Sequence, residues 1–423
     1  MTIHANNPSL KSWVEVSEKS DFPIQNLPFG IFKTQMLTPR VGVAIGEKIL
    51  DLYELHKAGF ISKYDFEESI FNNNSLNDLM ALGKDKCRKL RDRLSELLSI
   101  DCEELKESVH RGKVLVNMKE ASMLMPVRVG DYTDFYSSID HATNVGVMFR
   151  DPANALLPNW KHMPVGYHGR ASSIVVSGTN IHRPKGQTRV DETQPPIFEP
   201  SKRLDFELEV AFIVGKSTNI GDAISTAQAD DYIFGLVLFN DLSARDIQQW
   251  EYVPLGPFLG KNFGSVISPW VVTLDALEPY RVAGYEQNPE VLPYLQYEGN
   301  KNYDIKLEVE IKPEGGEGKI VSESNFKYMY WNMNQQLAHH TVNGCNVNIG
   351  DMMASGTISG PEPHEFGSML EIAWKGTKPV QMPDGTERKF LNDHDFCIIR
   401  GHAEKDGIRI GFGDCITKIL PAK

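Results

Sequence analysis

Between Leu204 and Val214 the chain reads Leu-Asp-Phe-Glu-Leu-Glu-Val-Ala-Phe-Ile-Val, so strand alternation sends Asp205, Glu207 and Glu209 to one face and Phe206, Leu208 and Val210 to the other. Carboxylates two residues apart on a strand lie ~6.6 Å apart and repel by roughly 2 kcal/mol at an effective dielectric of about 20. A hard divalent cation such as Ca2+ or Mg2+ is the usual compensation, because carboxylate oxygens suit these ions better than soft metals. Taken alone, the solvated face of a half-buried antiparallel strand is the simpler reading.

Three other segments concentrate groups that could join this stripe. Gly130–Gly146 packs acids, tyrosines and a histidine into one stretch. Asn240–Gly264 carries Asp241, Arg245, Gln248 and Lys261, and Ala354–Glu362 lies close in sequence to Glu371. Familiar motifs of other chemistries fail. His364-Glu365 begins like H-E-x-x-H, but Ser368 holds the second histidine position, and no G-x-S-x-G elbow, P-loop or strand-linked G-x-G-x-x-G is present.

The elements that must position these groups are strand-rich. Val41–Ile45 and Ile49–Leu52 flank Gly46-Glu-Lys48 as in a hairpin. A helical stretch follows, with Ser75 and Asp78 resembling a capping box and Leu90, Leu94, Leu97 and Leu98 at helical spacing. Its Lys and Arg residues between Lys84 and Arg93 read as a solvated face, given the interleaved acids. From about Met125 the texture turns to glycine- and aromatic-rich segments between short strands. Ile233–Phe239 suits a strand buried on both faces and ends at Asn240-Asp241, while Glu278–Asn302, with three prolines, reads as a surface excursion.

At 423 residues, 41% hydrophobic and 24% charged, the chain fits a globular protein of two or three domains. A formal charge of -12 argues against a nucleic-acid surface. Five scattered cysteines without a C-x-x-C pair indicate neither a disulfide framework nor a zinc knuckle, which suits a reducing compartment. The start Met-Thr-Ile-His-Ala-Asn-Asn-Pro has no apolar leader, and no run of 18 apolar residues occurs, so no membrane contact and a cytoplasmic location are expected.

The segments together resemble the fumarylacetoacetate hydrolase family. Asp-Tyr-Thr-Asp-Phe-Tyr-Ser-Ser, His-Ala-Thr-Asn-Val-Gly, Pro-Val-Gly-Tyr-His-Gly-Arg-Ala-Ser-Ser, Asn-Asp-Leu-Ser-Ala-Arg-Asp-Ile-Gln, Gly-Pro-Phe-Leu-Gly-Lys and Ser-Gly-Thr-Ile-Ser-Gly-Pro-Glu follow in the family's order. Asp21-Phe-Pro-Ile-Gln-Asn-Leu-Pro-Phe-Gly extends the likeness into the N-terminal part, so it covers nearly the whole chain. Motifs of this length are far more specific than two-residue patterns.

The resemblance implies a mainly β fold with some α: a small SH3-like barrel with a helical extension over 1–124 and a mixed β-roll catalytic domain over 125–423. It implies Ca2+ on Asp134, Glu207, Glu209 and Asp241, and Mg2+ near Asp241, Lys261 and Ser265. Arg245, Gln248 and Lys261 would line an oxyanion hole, and Tyr136, Arg150, Gln248, Tyr252 and Thr357 would contact substrate. His141, oriented by Glu371, would activate water to hydrolyse a carbon–carbon bond in a small dicarboxylate β-diketone. A homodimer is expected on the same ground, and Asp205 receives no ligand role. The sequence departs from the family pattern at Ser265, where threonine is expected, and at Ile139-Asp140, where Arg-Gln is expected. A relative acting on acylpyruvates and a metal-stabilised binding protein without catalysis are the competing readings. Retention of His141, Glu371, Arg245, Gln248 and Lys261 speaks against the latter.

Overall fold

The computed structural model describes residues 3–189, 191 and 193–423. Met1 and Thr2, where the leader reading begins, lie outside the described residues. The N-terminal part forms a five-stranded antiparallel sheet in the spatial order Leu115–Asn117, Lys48–Asp51, Arg40–Ile45, Phe29–Lys33, Ser122–Leu124. The expected hairpin is present, with Ile45 opposite Lys48 and Gly46 at φ 55°, the left-handed backbone that a two-residue turn needs.

The remainder is built on two larger sheets. The first has eight strands, with Gly166–His168, Tyr132–Phe135, Met352–Ala354, Leu208–Val214, Ile233–Asp241, Ser265–Ile267 and Ile174–Val176 side by side, and Val272–Thr273 also pairing with Ile233–Asp241. The second has six and includes Lys306–Lys312, Phe396–Lys405 and Cys415–Leu420. This is the mixed, strand-dominated architecture expected from the sequence.

The central strands of the first sheet are buried on both faces, and their alternation says against what. Val210, Phe212, Leu236 and Leu238 join Leu307, Val309 and Ile399 of the six-stranded sheet in one core. Ala211, Ile213, Val237 and Phe239 join Phe29, Ile31, Val43 and Leu94 of the N-terminal part in another. Tyr132 belongs to this second core as well. At the strand ends that same face passes from apolar to acidic: Tyr132 gives way to Asp134, Ala211 to Glu209 and Phe239 to Asp241.

Two local expectations need correction, and a third, the surface excursion, is present with more anchoring than its sequence shows. No capping box forms at Ser75 and Asp78, because the short helix begins at Asn77 with Leu76 as its cap, and Ser75 is buried in the preceding turn. The basic residues of the Lys84–Leu98 helix are not a solvated face throughout. Arg91 and Arg93 are buried, with Arg91 Nε donating to the Asn26 carbonyl at 3.0 Å, and Arg88 makes two 2.7 Å bonds to Asp275. The helix is wedged between the N-terminal sheet and the part built on the two larger sheets, so little beyond Asp85, Lys86, Lys89 and Glu96 reaches water. The Glu278–Asn302 excursion is pinned at both ends by pairing of Arg281–Val282 with Asn302–Tyr303, and Leu295 is buried against Trp160 and Trp331. Among the described residues no helix is long and apolar enough to cross a membrane.

Candidate active site

Strand register brings the four acids together. Asp134 sits beside Ala354 on the parallel neighbour, Glu209 lies opposite Phe239, and Asp241 faces Ser265. The Leu204–Val214 run is two strands rather than one: Leu204–Asp205 pairs with Ser243–Ala244, and Leu208–Val214 with Ile233–Asp241. The break lets Glu207 turn inward, bridged to Ser368. Asp134, Glu207, Glu209 and Asp241 each offer a carboxylate oxygen within 4.8 Å of the others, and all four are buried.

The electrostatics match such crowding. Burial first, then neighbouring carboxylates, pushes Asp134 and Glu209 well above the ordinary carboxylate range. Burial acts the same way on Glu207, but Lys261 and Arg245 outweigh it and draw that carboxyl down. Lys261 Nζ donates to Glu207 and, at 2.6 Å, to Asp241 Oδ2, while Arg245 Nη1 meets Glu207 Oε1 at 2.7 Å.

These residues fit a divalent cation. Asp134 Oδ1 and Glu209 Oε1 are buried and have no hydrogen-bond partner among the described residues, a costly arrangement for charged oxygens without a ligand to take. The donors are all oxygen, which selects a hard ion, and the acids outnumber the two basic side chains beside them, Arg245 being shared with Asp205, which leaves negative charge for the ion to balance. Lys261 cannot ligate through its ammonium, which only donates, so any contact with a cation would come through its main-chain oxygen. Ser265 Oγ donates to Asp241 Oδ1 at 2.7 Å, which places the hydroxyl at the edge of the cluster.

A second unit stands beside the first. Ser138 caps the Ile139–Phe149 helix, its Oγ accepting from the His141 amide at 3.2 Å, and so fixes the turn that carries the imidazole. His141 Nδ1 lies 2.7 Å from Glu371 Oε2, with both side chains buried. Since a carboxylate only accepts, Nδ1 is the donor and Nε2 is left able to take a proton. Burial alone would raise the Glu371 carboxyl; His141 and hydrogen bonds from Asn144 and Ser368 outweigh it and keep it below the usual range. Asn144 Nδ2 donates at 2.9 Å, Ser368 Oγ at 2.8 Å and Ser359 Oγ at 2.9 Å.

The other expected residues distribute unevenly. Arg245 and Gln248 sit one turn apart on the Arg245–Glu251 helix, 3.3 Å apart through Nη1 and Oε1, and Tyr252 caps it. Tyr136 packs edge-on against His141, ring centroids 5.3 Å apart, and Thr357 is buried beside Gly356, whose amide donates to Glu209 Oε2 at 3.0 Å. Tyr252 is 54% exposed, and exposed Arg150 holds the Ala155 carbonyl at 3.2 and 2.5 Å. Both are surface residues, in contrast to the buried cluster. Sequence reasoning missed Tyr167, whose hydroxyl lies 3.5 Å from Asp241 Oδ2, and the serines and asparagine around Glu371. Tyr167 and Ser359 fall inside the family-like motifs, whereas Ser368 stands out in the sequence only by breaking a zinc pattern.

A buried acidic cluster fit for a hard cation, set beside a histidine–glutamate pair, outlines a metal-binding hydrolase. The family models make the assignment narrower: fumarylacetoacetate hydrolase C-terminal matches residues 132–419, and fumarylacetoacetase N-terminal matches residues 25–126. The human fumarylacetoacetase is 53% identical over 417 residues, covering 97% of this chain and 99% of that protein. The Caenorhabditis elegans fumarylacetoacetase is 52% identical over 98% of this chain and 100% of its own, and that of Arabidopsis thaliana 49% over 98% and 99%. A solved fumarylacetoacetate hydrolase from Exiguobacterium antarcticum shares the fold at TM-score 0.52 and 17% identity, covering 94% of this chain and 100% of that one. The chain belongs to the fumarylacetoacetase family.

Proposed function

We propose that the protein hydrolyses 4-fumarylacetoacetate to fumarate and acetoacetate, the last step of tyrosine and phenylalanine catabolism. The observation that carries this reading is the His141–Glu371 pair beside the acidic cluster, in a chain half identical, end to end, to the human fumarylacetoacetase.

His141 Nε2 takes a proton from water while Glu371 holds Nδ1–H and stabilises the imidazolium. The hydroxide attacks the carbonyl adjoining the fumaryl arm, and a tetrahedral oxyanion forms. Arg245, Gln248 and Lys261 are the donors placed to receive that charge, and such preorganised donors are typically worth about 3 to 4 kcal/mol each. Cleavage of the carbon–carbon bond releases fumarate, and the acetoacetate carbon, leaving as an enolate, recovers its proton from the imidazolium. Ca2+ held by Asp134, Glu207, Glu209 and Asp241 would supply Lewis-acid stabilisation of the diketone oxygens, and Mg2+ near Asp241, Lys261 and Ser265 would add to the local positive charge. Tyr136, Arg150, Gln248, Tyr252 and Thr357 would contact the substrate.

We further propose a cytoplasmic homodimer divided at residues 124 and 125 into its two domains. Free cysteines throughout favour the reducing compartment. Leu255 and Phe258, 96% and 66% exposed and close in sequence to Tyr252, are the apolar surface that pairing would cover. Sedimentation over a concentration series tests this, and a monomer at all concentrations would refute it.

The activity is tested by loss of fumarylacetoacetate absorbance with purified protein, with and without chelator, beside His141→Ala and an acylpyruvate. Chelator-sensitive, His141-dependent formation of fumarate and acetoacetate is expected. Turnover of the acylpyruvate alone would assign another reaction to the site.

A further inference from the structure

Asp205 joins the two halves of the site, although it ligates nothing in the cluster. Its side chain is fully buried. Oδ2 accepts from Arg245 Nε at 2.8 Å and from the Leu370 amide at 3.0 Å, and Oδ1 accepts from the Met369 amide at 2.7 Å. Those two amides immediately precede Glu371, so one carboxylate grips both the guanidinium of the oxyanion side and the backbone leading into the residue that orients His141.

Arg245 is held at two of its three nitrogens. Nε goes to Asp205, and Nη1 goes to Glu207 Oε1 and Gln248 Oε1. Nη2 is buried with no hydrogen-bond partner among the described residues. A planar fork fixed at two points has no rotational freedom left, so its third nitrogen stays at a set position. Without Asp205 the fork would be free to swing wholly onto Glu207, and the remaining donor would be lost to the site.

We propose that Asp205 is a positioning residue that fixes the Arg245 fork, reserving Nη2 for the oxyanion, and sets Glu371 against His141 through the Met369 and Leu370 amides. This rests on the hydrolytic reading above. It separates Asp205 from an ordinary buried ion pair, whose loss would lower stability without a selective effect on turnover.

The test uses Asp205→Asn, Arg245→Lys and the double variant of the full chain, each checked for folding by thermal melt. Asp205→Asn should lower kcat about 10- to 100-fold, the usual effect of removing a partner that orients a working residue, with KM within about twofold. The double variant should be no more than about twofold slower than Arg245→Lys alone, because the two act as one unit. The downfield proton resonance of the His141 Nδ1–H to Glu371 bond should shift or broaden in Asp205→Asn, a readout independent of turnover. The proposal fails if kcat stays within about threefold of wild type, if the losses add, or if the resonance is unmoved. Should the asparagine variant not fold, Asp205→Glu takes its place, and failure of both to fold would make Asp205 a structural residue only. Wild-type protein that leaves fumarylacetoacetate intact would sink the proposed activity instead, while the resonance would still decide whether Asp205 sets the His141–Glu371 pair.

Discussion

Glu371→Gln is the most direct probe of the histidine–glutamate pair, because it keeps the shape of the side chain and removes its charge. The amide cannot stabilise an imidazolium and can present the wrong group to Nδ1, so kcat should fall about 10²- to 10⁴-fold with KM little changed, measured by fumarylacetoacetate absorbance. Glu209→Gln probes the cluster with an opposite pair of effects. Its carboxyl is raised by burial and by Asp134 and Asp241, so neutralising it in chelator should leave the melting temperature unchanged or higher. The same variant should bind Ca2+ at least about 10-fold more weakly by calorimetry, since charge count sets affinity at such sites. Stabilisation in chelator combined with undiminished Ca2+ uptake would place the ion elsewhere. The acids were legible as an alternating stripe, but which of them converge was not: Asp205 and Glu207 look equivalent in sequence and both meet Arg245, yet only the strand break between them sends Asp205 to the Met369 and Leu370 amides and Glu207 to the cluster.

Among the elements, the turn after Met352–Ala354 carries the tightest steric demand. Gly356 has φ 78°, and a Cβ there would lie 2.2 Å from the Phe135 carbonyl oxygen, one residue beyond Asp134. Gly356→Ala should therefore cost about 1 to 3 kcal/mol in urea unfolding and weaken Ca2+ binding as well, because the turn also delivers its amide to Glu209. An alanine variant with wild-type stability would mean that the turn relaxes freely. The Ile233–Asp241 strand was readable from its apolar run, as was the Gly46 hairpin. The Lys84–Leu98 helix was readable in its leucines but not in its arginines, since helical spacing reports one buried face and cannot reveal a second surface pressing from the other side.

For the whole molecule, the first and last segments meet at Asp21, which accepts from Arg409 Nε at 2.9 Å, with His402 close by on the strand paired to Arg409. Burial first, then Arg409, lowers His402 to about 4, against the opposing pull of Asp21. Its folded pKa thus lies below the unfolded value of about 6.5, so the unfolded chain binds the proton first as pH falls. Stability is full above about pH 6.5 and declines down to about pH 4, by about 1 to 2 kcal/mol after discounting for partial exposure. Melting temperatures at pH 7 and pH 5 should converge in His402→Gln relative to wild type, and an unchanged difference would exclude His402 as the cause.

The sequence by itself determined the chemical inventory: oxygen ligands for a hard cation, a histidine with a buried glutamate, cations for an oxyanion, and a strand-rich chain able to bury large sheets. Spacing and alternation are local properties, and they survive in the linear text. Convergence was decided by tertiary structure alone. The residues of the cluster come from strands whose neighbours are remote in sequence, and register between such strands depends on what packs against both faces of the sheet. The N-terminal part packs on the acids' face further along the same strands, at Ala211, Val237 and Phe239, so the sheet that carries Asp134, Glu209 and Asp241 is held in place by elements outside any local reading of the acids.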